Sequence, residues 1–242
     1  MKKLKILFFA FVICNSTLAQ EEYNYSDVLL TTTFKAYQEV DFQMANSMFP
    51  FVKERFLEHL KDSTSFTNPY DSLSKHISIQ YSLDSVVKTY TWGERDSGCC
   101  HSSVVYAQYK TENNTIKYTN LKDPNTGGID IFITGLHSIE INNQPHYLIL
   151  GWGTCCGGKH HSTATVYKIV DGVLQKSNTA FIGKDYIFTE ANRGQDIKIK
   201  YDAEKKILSY FSYPEDEERG FYKREQTLAQ WKLTNKGFKK EN

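Results

Sequence analysis

The chain carries no excess of charge: 29 Lys and Arg stand against 28 Asp and Glu. A dedicated nucleic-acid binder needs a basic surface to neutralise phosphates, so no nucleic-acid partner is expected. After residue 14 no apolar run approaches the roughly 20 residues that a spanning helix requires, and no transmembrane segment is expected. Phosphate-loop, dinucleotide-binding, His-Glu-x-x-His, Gly-x-Ser-x-Gly and calcium-loop patterns are all missing, so none of the chemistries they encode is announced. No stretch reads as a linker long enough to separate domains. What is abundant is aromatic and β-favouring: 16 Tyr and 15 Phe, with many Thr and Ile. That composition favours sheet and argues against disorder or a coiled coil. A chain of 242 residues is ample for a hydrophobic core.

The first twenty residues read as an export signal. Lys2, Lys3 and Lys5 precede the apolar stretch Ile6 to Cys14, and Thr17 and Ala19 are small residues where a signal peptidase reads. The expectation is a signal peptide over residues 1–19 and a mature chain from Gln20, periplasmic or secreted. Losing three lysines leaves 26 basic and 28 acidic residues, a net charge of −2. Cys14 offers a competing reading as a lipidated cysteine, but the large, β-branched Ile13 stands where a small residue is needed.

Val28, Leu29, Phe34, Tyr37, Val40, Met44 and Met48 approximate a 3.6-residue period and predict a helix over residues 26–48, with Ser26 as N-cap. Pro50 suits a first helical position, and Val52, Phe56, Leu57 and Leu60 continue as the stripe of a second helix, broken by the DSTSFTNP stretch. From about Ile77 onward the pattern is paired strands. ISIQYSL and VVKTYTW, SVVYAQYK and TIKYTNL, IDIFITGLHSIEI and HYLILGWG, TATVYKIV and VLQKSNTAFI, and IKIKYD and ILSYFSY each flank a short turn. Asp171-Gly172 is the strongest hairpin signal among them. TLAQWKLT and a short strand near Phe238 complete the set. The predicted class is therefore α+β: helices over about 26–62, then a mostly antiparallel meander over about 77–242, closed as a sandwich or propeller-like stack. One exported domain is expected over residues 20–242. The acidic tract from Pro214 to Gly220 reads as a solvated loop.

Four cysteines remain after the leader, in two adjacent pairs with similar surroundings. Trp92-Gly93 precedes Cys99-Cys100, and His101-Ser102 follows; Trp152-Gly153 precedes Cys155-Cys156, and His160-His161-Ser162 follows. Each pair thus falls between two strands, and equivalent hairpins would bring both connections to one end of a sheet. Structural disulfides are the preferred reading, because an oxidising compartment and an even count favour them. Neighbouring residues have Cα atoms about 3.8 Å apart, whereas ordinary disulfides want roughly 4.4–6.8 Å. Bonds between the two pairs are therefore easier than bonds within them, and would close a loop of about 55 residues. The alternative is a zinc or copper site using Cys99, Cys100, Cys155 and Cys156 with His101, His160 or His161, although adjacent cysteines in extended chain point to opposite faces. A third reading is cysteine redox chemistry or a hydrolase, with a histidine lowering a thiol pKa.

Weaker candidates read as structural. His59 fits a helix boundary, and His76, His137 and His146 fall at strand edges. Asp123 and Asp130 flank a Gly-Gly turn, but acid–base work needs a second carboxylate nearby and the local sequence supplies none. Aromatic residues here suit cross-strand pairs better than a carbohydrate platform.

The run FPFVKERFLEHLKDSTSFTNPYDSL, then ISIQYSLDSVVKTYTWG, then INNQPHYLILGWG, resembles a family of uncharacterised exported bacterial β-rich proteins. Phe66, Tyr70, Leu73, Tyr90, Trp92, Tyr147, Leu148, Gly151 and Gly153 carry the likeness, over roughly residues 50–170. The resemblance implies export and a β-rich fold and brings no activity. Loops in such relatives are rich in Gly, Thr and Ser, so the cysteine pairs are a departure that favours stapling over an inherited active site. The expected function is non-enzymatic: an exported binding or envelope-associated protein whose ligand is envelope-borne or extracellular. No catalytic residue and no obligatory cofactor is assigned.

Overall fold

The computed structural model describes residues 26–95, 98, 101–122, 130–154 and 157–241. The leader, Cys14 and all four later cysteines lie outside the described residues. Two compact units divide after Ile77, where the helical pattern gives way to strands.

The first unit holds helix α1 (residues 26–39) and helix α2 (Phe42–Lys61), followed by two short 3-10 turns. Leu30, Phe34 and Tyr37 of α1 are buried, as are Ala45, Val52, Phe56 and Leu60 of α2. Phe34 meets Phe56 edge-on at 6.0 Å. The helix break falls at residues 40–41, earlier than the Met48–Pro50 junction expected from periodicity. Asp41 decides it: its carboxylate accepts the amide of Met44 at 3.0 Å and so starts the second helix. Pro50 then sits inside α2. It removes one internal hydrogen bond, but Asn46, whose carbonyl is orphaned, lies on the exposed face where water can serve it. Asp27 binds the second 3-10 turn, its two oxygens accepting the amides of Ser72 and Leu73 at 2.8 and 2.9 Å.

The second unit is almost entirely antiparallel sheet. One sheet runs β1 (Ser78–Tyr81), β2 (Val87–Gly93), β3 (Ser103–Lys110) and β4 (Ile116–Asn120) in chain order. The central sheet holds β5 (Phe132–Ile141), β6 (Gln144–Thr154), β7 (Lys159–Val170) and β8 (Val173–Lys176), with β9 (Ile187–Asn192) on the same edge of β7 as β8. A third sheet is ordered β10 (Lys200–Asp202), β11 (Ile207–Ser212), β14 (Thr227–Thr234), β15 (Gly237–Lys240). Between β11 and β14, β12 (Glu215–Asp216) and β13 (Phe221–Tyr222) form a separate small ladder.

The turns form where expected. Asn142-Asn143 and Asp171-Gly172 all adopt positive φ, which closes two-residue hairpins in the primed geometry that matches strand twist. Gln144 and Pro145, expected in the first of these turns, instead begin β6. The central sheet is buried on both faces. Tyr147 and Ile149 of β6 enter a cluster with Val87, Val105 and Ala107, whereas Leu148 and Leu150 enter one with Leu208, Trp231 and Phe238. That is why β6 reads as a continuous apolar run rather than an alternating one.

Two features depart from the sequence expectation. Strand β9 has only a weak local signal, because IFTEAN alternates poorly; pairing with β7 makes it a strand. The acidic tract is not simply loop: Glu215 and Asp216 pair with Tyr222 and Phe221, leaving Glu217 and Glu218 at an exposed tip.

Candidate functional site

The strand ends that lead into and out of the two cysteine pairs meet at Asp130. This residue precedes β5, the edge strand of the central sheet, which also lies against β1, β2 and β3 of the first sheet. One carboxylate oxygen accepts the Ser103 amide at 2.8 Å and lies 2.8 Å from the Ser103 hydroxyl; the other accepts the Ser102 hydroxyl at 2.9 Å. Lys122 pairs with it at 3.0 Å and also donates to the Ser103 carbonyl at 3.1 Å, with Glu94 at 4.0 Å. Burial opposes ionisation of Asp130, but the hydrogen bonds from Ser103, Lys122 and Ser102 outweigh it and hold the carboxyl below its ordinary value. The Asp130 side chain thereby fastens the start of β3, just beyond Cys100.

The backbone of the same residue fastens the other connection. The Asp130 carbonyl accepts His161 Nε2 of β7 at 3.0 Å. His161 is buried and stacks on Phe188 of β9, with ring centroids 5.5 Å apart. Gly153, opposite His161 across the β6–β7 ladder, makes the approach possible: a Cβ there would collide with His161 Nε2 and with the Asp130 carbonyl. Phe132 completes the joint, its ring 3.6 Å from where a Gly93 Cβ would stand and 6.2 Å from the Trp152 ring. Both Trp-Gly steps thus serve close packing against the chain around Asp130.

The second connection is held on its far side as well. Arg193 donates from its amide to the Gly158 carbonyl and from its guanidinium to Thr154 Oγ1, both at 2.7 Å. Lys159 lies 3.7 Å from Glu190 and 3.8 Å from Glu215, over the Tyr222 ring. Tyr222 donates its hydroxyl to Glu190, and its backbone exchanges two hydrogen bonds with the Asn192 side chain. The β12–β13 hairpin of the acidic tract is therefore a brace for this connection.

His160 and His161 alternate along β7 and face opposite sides of the central sheet. His160 packs edge-on against Trp152, whose Nε1 donates to His160 Nδ1 at 3.1 Å. The proton of a neutral His160 then resides on Nε2, which is buried without a hydrogen bond of good geometry. Burial lowers the His160 pKa, with Arg193 and His161 adding to the effect, while the carbonyls of Gln195 and Asn192 partly offset it. His101 is exposed, at a φ of 45°, directly after the first pair. Of the sequence candidates, the fold brings the flanks of both pairs and His161 together on Asp130; it separates His160 from His161.

The sequence marks Asp130 only as a candidate acid–base group, and its value as a joint depends on partners 27 to 31 residues away. Lys122, Arg193 and Glu190 carry no signal beyond ordinary charge. Among the described residues no group of three His, Cys, Asp or Glu side chains can hold a metal ion, and no helix is long and apolar enough to cross a membrane. No protein-family model, curated protein or solved structure matches this chain.

Proposed function

We propose that this chain is an exported, non-enzymatic binding or envelope-associated protein, and that Cys99, Cys100, Cys155 and Cys156 cross-link its two Trp-Gly connections as structural disulfides. The likeness to exported β-rich proteins and the leader pattern belong to this reading, as does a sandwich-like closure, which the clusters on opposite faces of the central sheet support. The observation that carries it is the double use of Asp130. Ser103 and Gly153 both meet that residue; Cys100 lies three residues from Ser103, and Cys155 two from Gly153. At about 3.3–3.6 Å per residue, Cys100 and Cys155 are tethered within about 11 Å of Ser103 and Gly153 respectively, and Cys99 and Cys156 lie one residue further along the chain. Cross-links between the pairs are within that reach, and would close a loop of about 55 residues worth about 4 kcal/mol in the chain-entropy model.

A zinc or copper site is the second reading. His160 Nε2, buried beside the second pair without a good hydrogen bond, would serve as a ligand only once its proton moved to Nδ1 and the hydrogen bond from Trp152 was broken. His161 would not share that ion, because its Nε2 is committed to Asp130 and its ring lies on the other face.

Intact mass of protein purified from an oxidising compartment, taken native and again after denaturation and alkylation, separates the readings. Two disulfides are expected: a deficit of about four hydrogens and no alkylation. Four alkylated thiols with zinc or copper in the native spectrum would establish the metal site instead.

A further inference from the structure

The third sheet turns one face to the core and the other outward. Residues opposite one another in register share a face, and alternate residues take the other. Tyr201, Leu208, Trp231 and Phe238 lie on the face that enters the core. The outer face holds Lys232 directly opposite Lys239 in one row, Lys200 in the next and Phe211 opposite Leu228 in the third. At about 3.3 Å per residue these rows span about 13 Å along the strands. None of the five is buried; Lys200, Lys239 and Leu228 are exposed.

Charge sets this face apart. Residues 200–212 and 227–241 hold seven lysines against Asp202, Glu204 and Glu241, a surplus of four in a chain whose whole net charge is +1. Lys205, Lys206 and Lys236 stand on the β10–β11 and β14–β15 turns, which leave the same end of the sheet, beside the Lys232–Lys239 row. Two carboxylates share the outer face. Asp202 is taken by Lys205 at 3.2 Å, and Glu241 follows β15, its amide bonded to the Gln230 carbonyl in the Lys200 row. Like charges directly opposite one another weaken a ladder. Lys232 donates to the Lys205 carbonyl, but neither it nor Lys239 is ion-paired with a described residue. The sheet thus keeps an opposed pair of cations that an anion would relieve. The apolar member of the face is Leu228, 53 % exposed beside Phe211. Flexible polyanions such as single-stranded nucleic acid are held on exposed aromatic rings; an exposed aliphatic group among lysines suits the headgroup and acyl boundary of a bilayer.

We propose that the outer face of the third sheet docks on an anionic lipid bilayer, with Lys200, Lys232 and Lys239 at headgroup phosphates and Leu228 at the acyl boundary. This rests on the envelope-associated reading and gives it a surface; the chemistry of the cysteines does not enter.

The test is co-sedimentation of the full chain with vesicles of equal phosphatidylglycerol and phosphatidylcholine, and with vesicles of phosphatidylcholine alone. Binding is expected only where phosphatidylglycerol is present, and should be lost at about 0.5 M salt, where surface charges are screened. The triple variant Lys200→Gln, Lys232→Gln, Lys239→Gln should bind about 100-fold more weakly, as for three lysines removed from an anionic surface. Leu228→Ser should cost about fivefold. Melting of the triple variant should be unchanged or higher, since the opposed cations are gone; if it fails to fold, Lys239→Gln alone should still bind about fivefold more weakly. No binding that depends on phosphatidylglycerol at about 1 mM lipid would overturn the proposal, as would equal binding by the variants. Dextran sulfate bound in place of vesicles would assign the face to a soluble polyanion. Lysine-dependent dimers in place of vesicle binding would assign it to the exposed Glu217 and Glu218 of a second copy; either result sinks the bilayer. Cell fractionation distinguishes this from the reading it rests on. A triple variant that stays with the envelope like the wild type keeps that reading and refutes this face, whereas wild type that binds vesicles yet fractionates as soluble protein supports the face and refutes that reading.

Discussion

Asp130 shows how much one residue can organise when its two kinds of oxygen serve different strands. The carboxylate holds Ser102 and Ser103, and the carbonyl holds His161. Asp130→Asn keeps the shape but discards the Lys122 ion pair and turns one acceptor into a donor facing donors. The expected loss is about 1.5–3 kcal/mol at pH 7, the range for hydrogen bonds to a charged group, measured as a drop in urea midpoint. The pH sign follows from the carboxyl being held below its ordinary value. Its stabilisation is complete above about pH 4 and is lost as the pH falls through the folded-state value, so the deficit of the variant should shrink below pH 4. A deficit that did not shrink at all as the pH fell below 4 would mean that shape rather than charge was lost. Nothing in the local sequence announces this role, because Ser103 and His161 stand 27 and 31 residues from Asp130.

Among the elements, those defined by local chemistry are legible in the sequence alone. Strands β3 and β14 fall where their apolar and β-branched runs place them, and the Asn-Asn and Asp-Gly turns adopt the positive φ those residues tolerate. Elements made by a neighbour are not: β9 exists because β7 offers an edge, and β12–β13 because Asn192 and Lys159 hold Tyr222 and Glu215. Pro145 belongs to both kinds. Its lack of an N–H is a property of the residue, but only the register shows which bond is missing. Pro145→Val should allow one more β6–β7 pair, raising the melting temperature by a few degrees. The new residue 145 amide should then be protected from hydrogen exchange. A solvent-exposed amide there with unchanged melting would show that something other than proline separates the strands.

For the whole molecule, buried titratable groups set an unusual pH profile. Lys88 of β2 is buried beside the rings of Tyr81 and Tyr90, and burial lowers its pKa to about 7. His137, His146 and His160 are lowered as well, each first by burial. In each case the unfolded chain binds the proton more tightly, so stability rises with pH, through about 6.5 for the histidines and between about 7 and 10.5 for Lys88. Tyr147 and Tyr167, raised by burial, reverse the trend above about pH 10. The β-rich unit should therefore be most stable near pH 9, and Lys88→Met should add a few kcal/mol at pH 6 and flatten the rise above pH 7. Tryptophan fluorescence in urea reads this directly, since Trp92, Trp152 and Trp231 all lie in that unit; a variant no more stable at pH 6 would refute it. The sequence by itself determined the α+β class, the hairpin order and the pairing of each cysteine doublet with a Trp-Gly step, because these depend on periodicity and on residues a few positions apart. Only the tertiary structure decided that Asp130 joins the two connections, that His160 and His161 face apart in different company, and that β6 and β7 separate at Pro145. Those outcomes rest on which strand lies beside which and in what register, and register couples residues too distant in the chain for any local pattern to record.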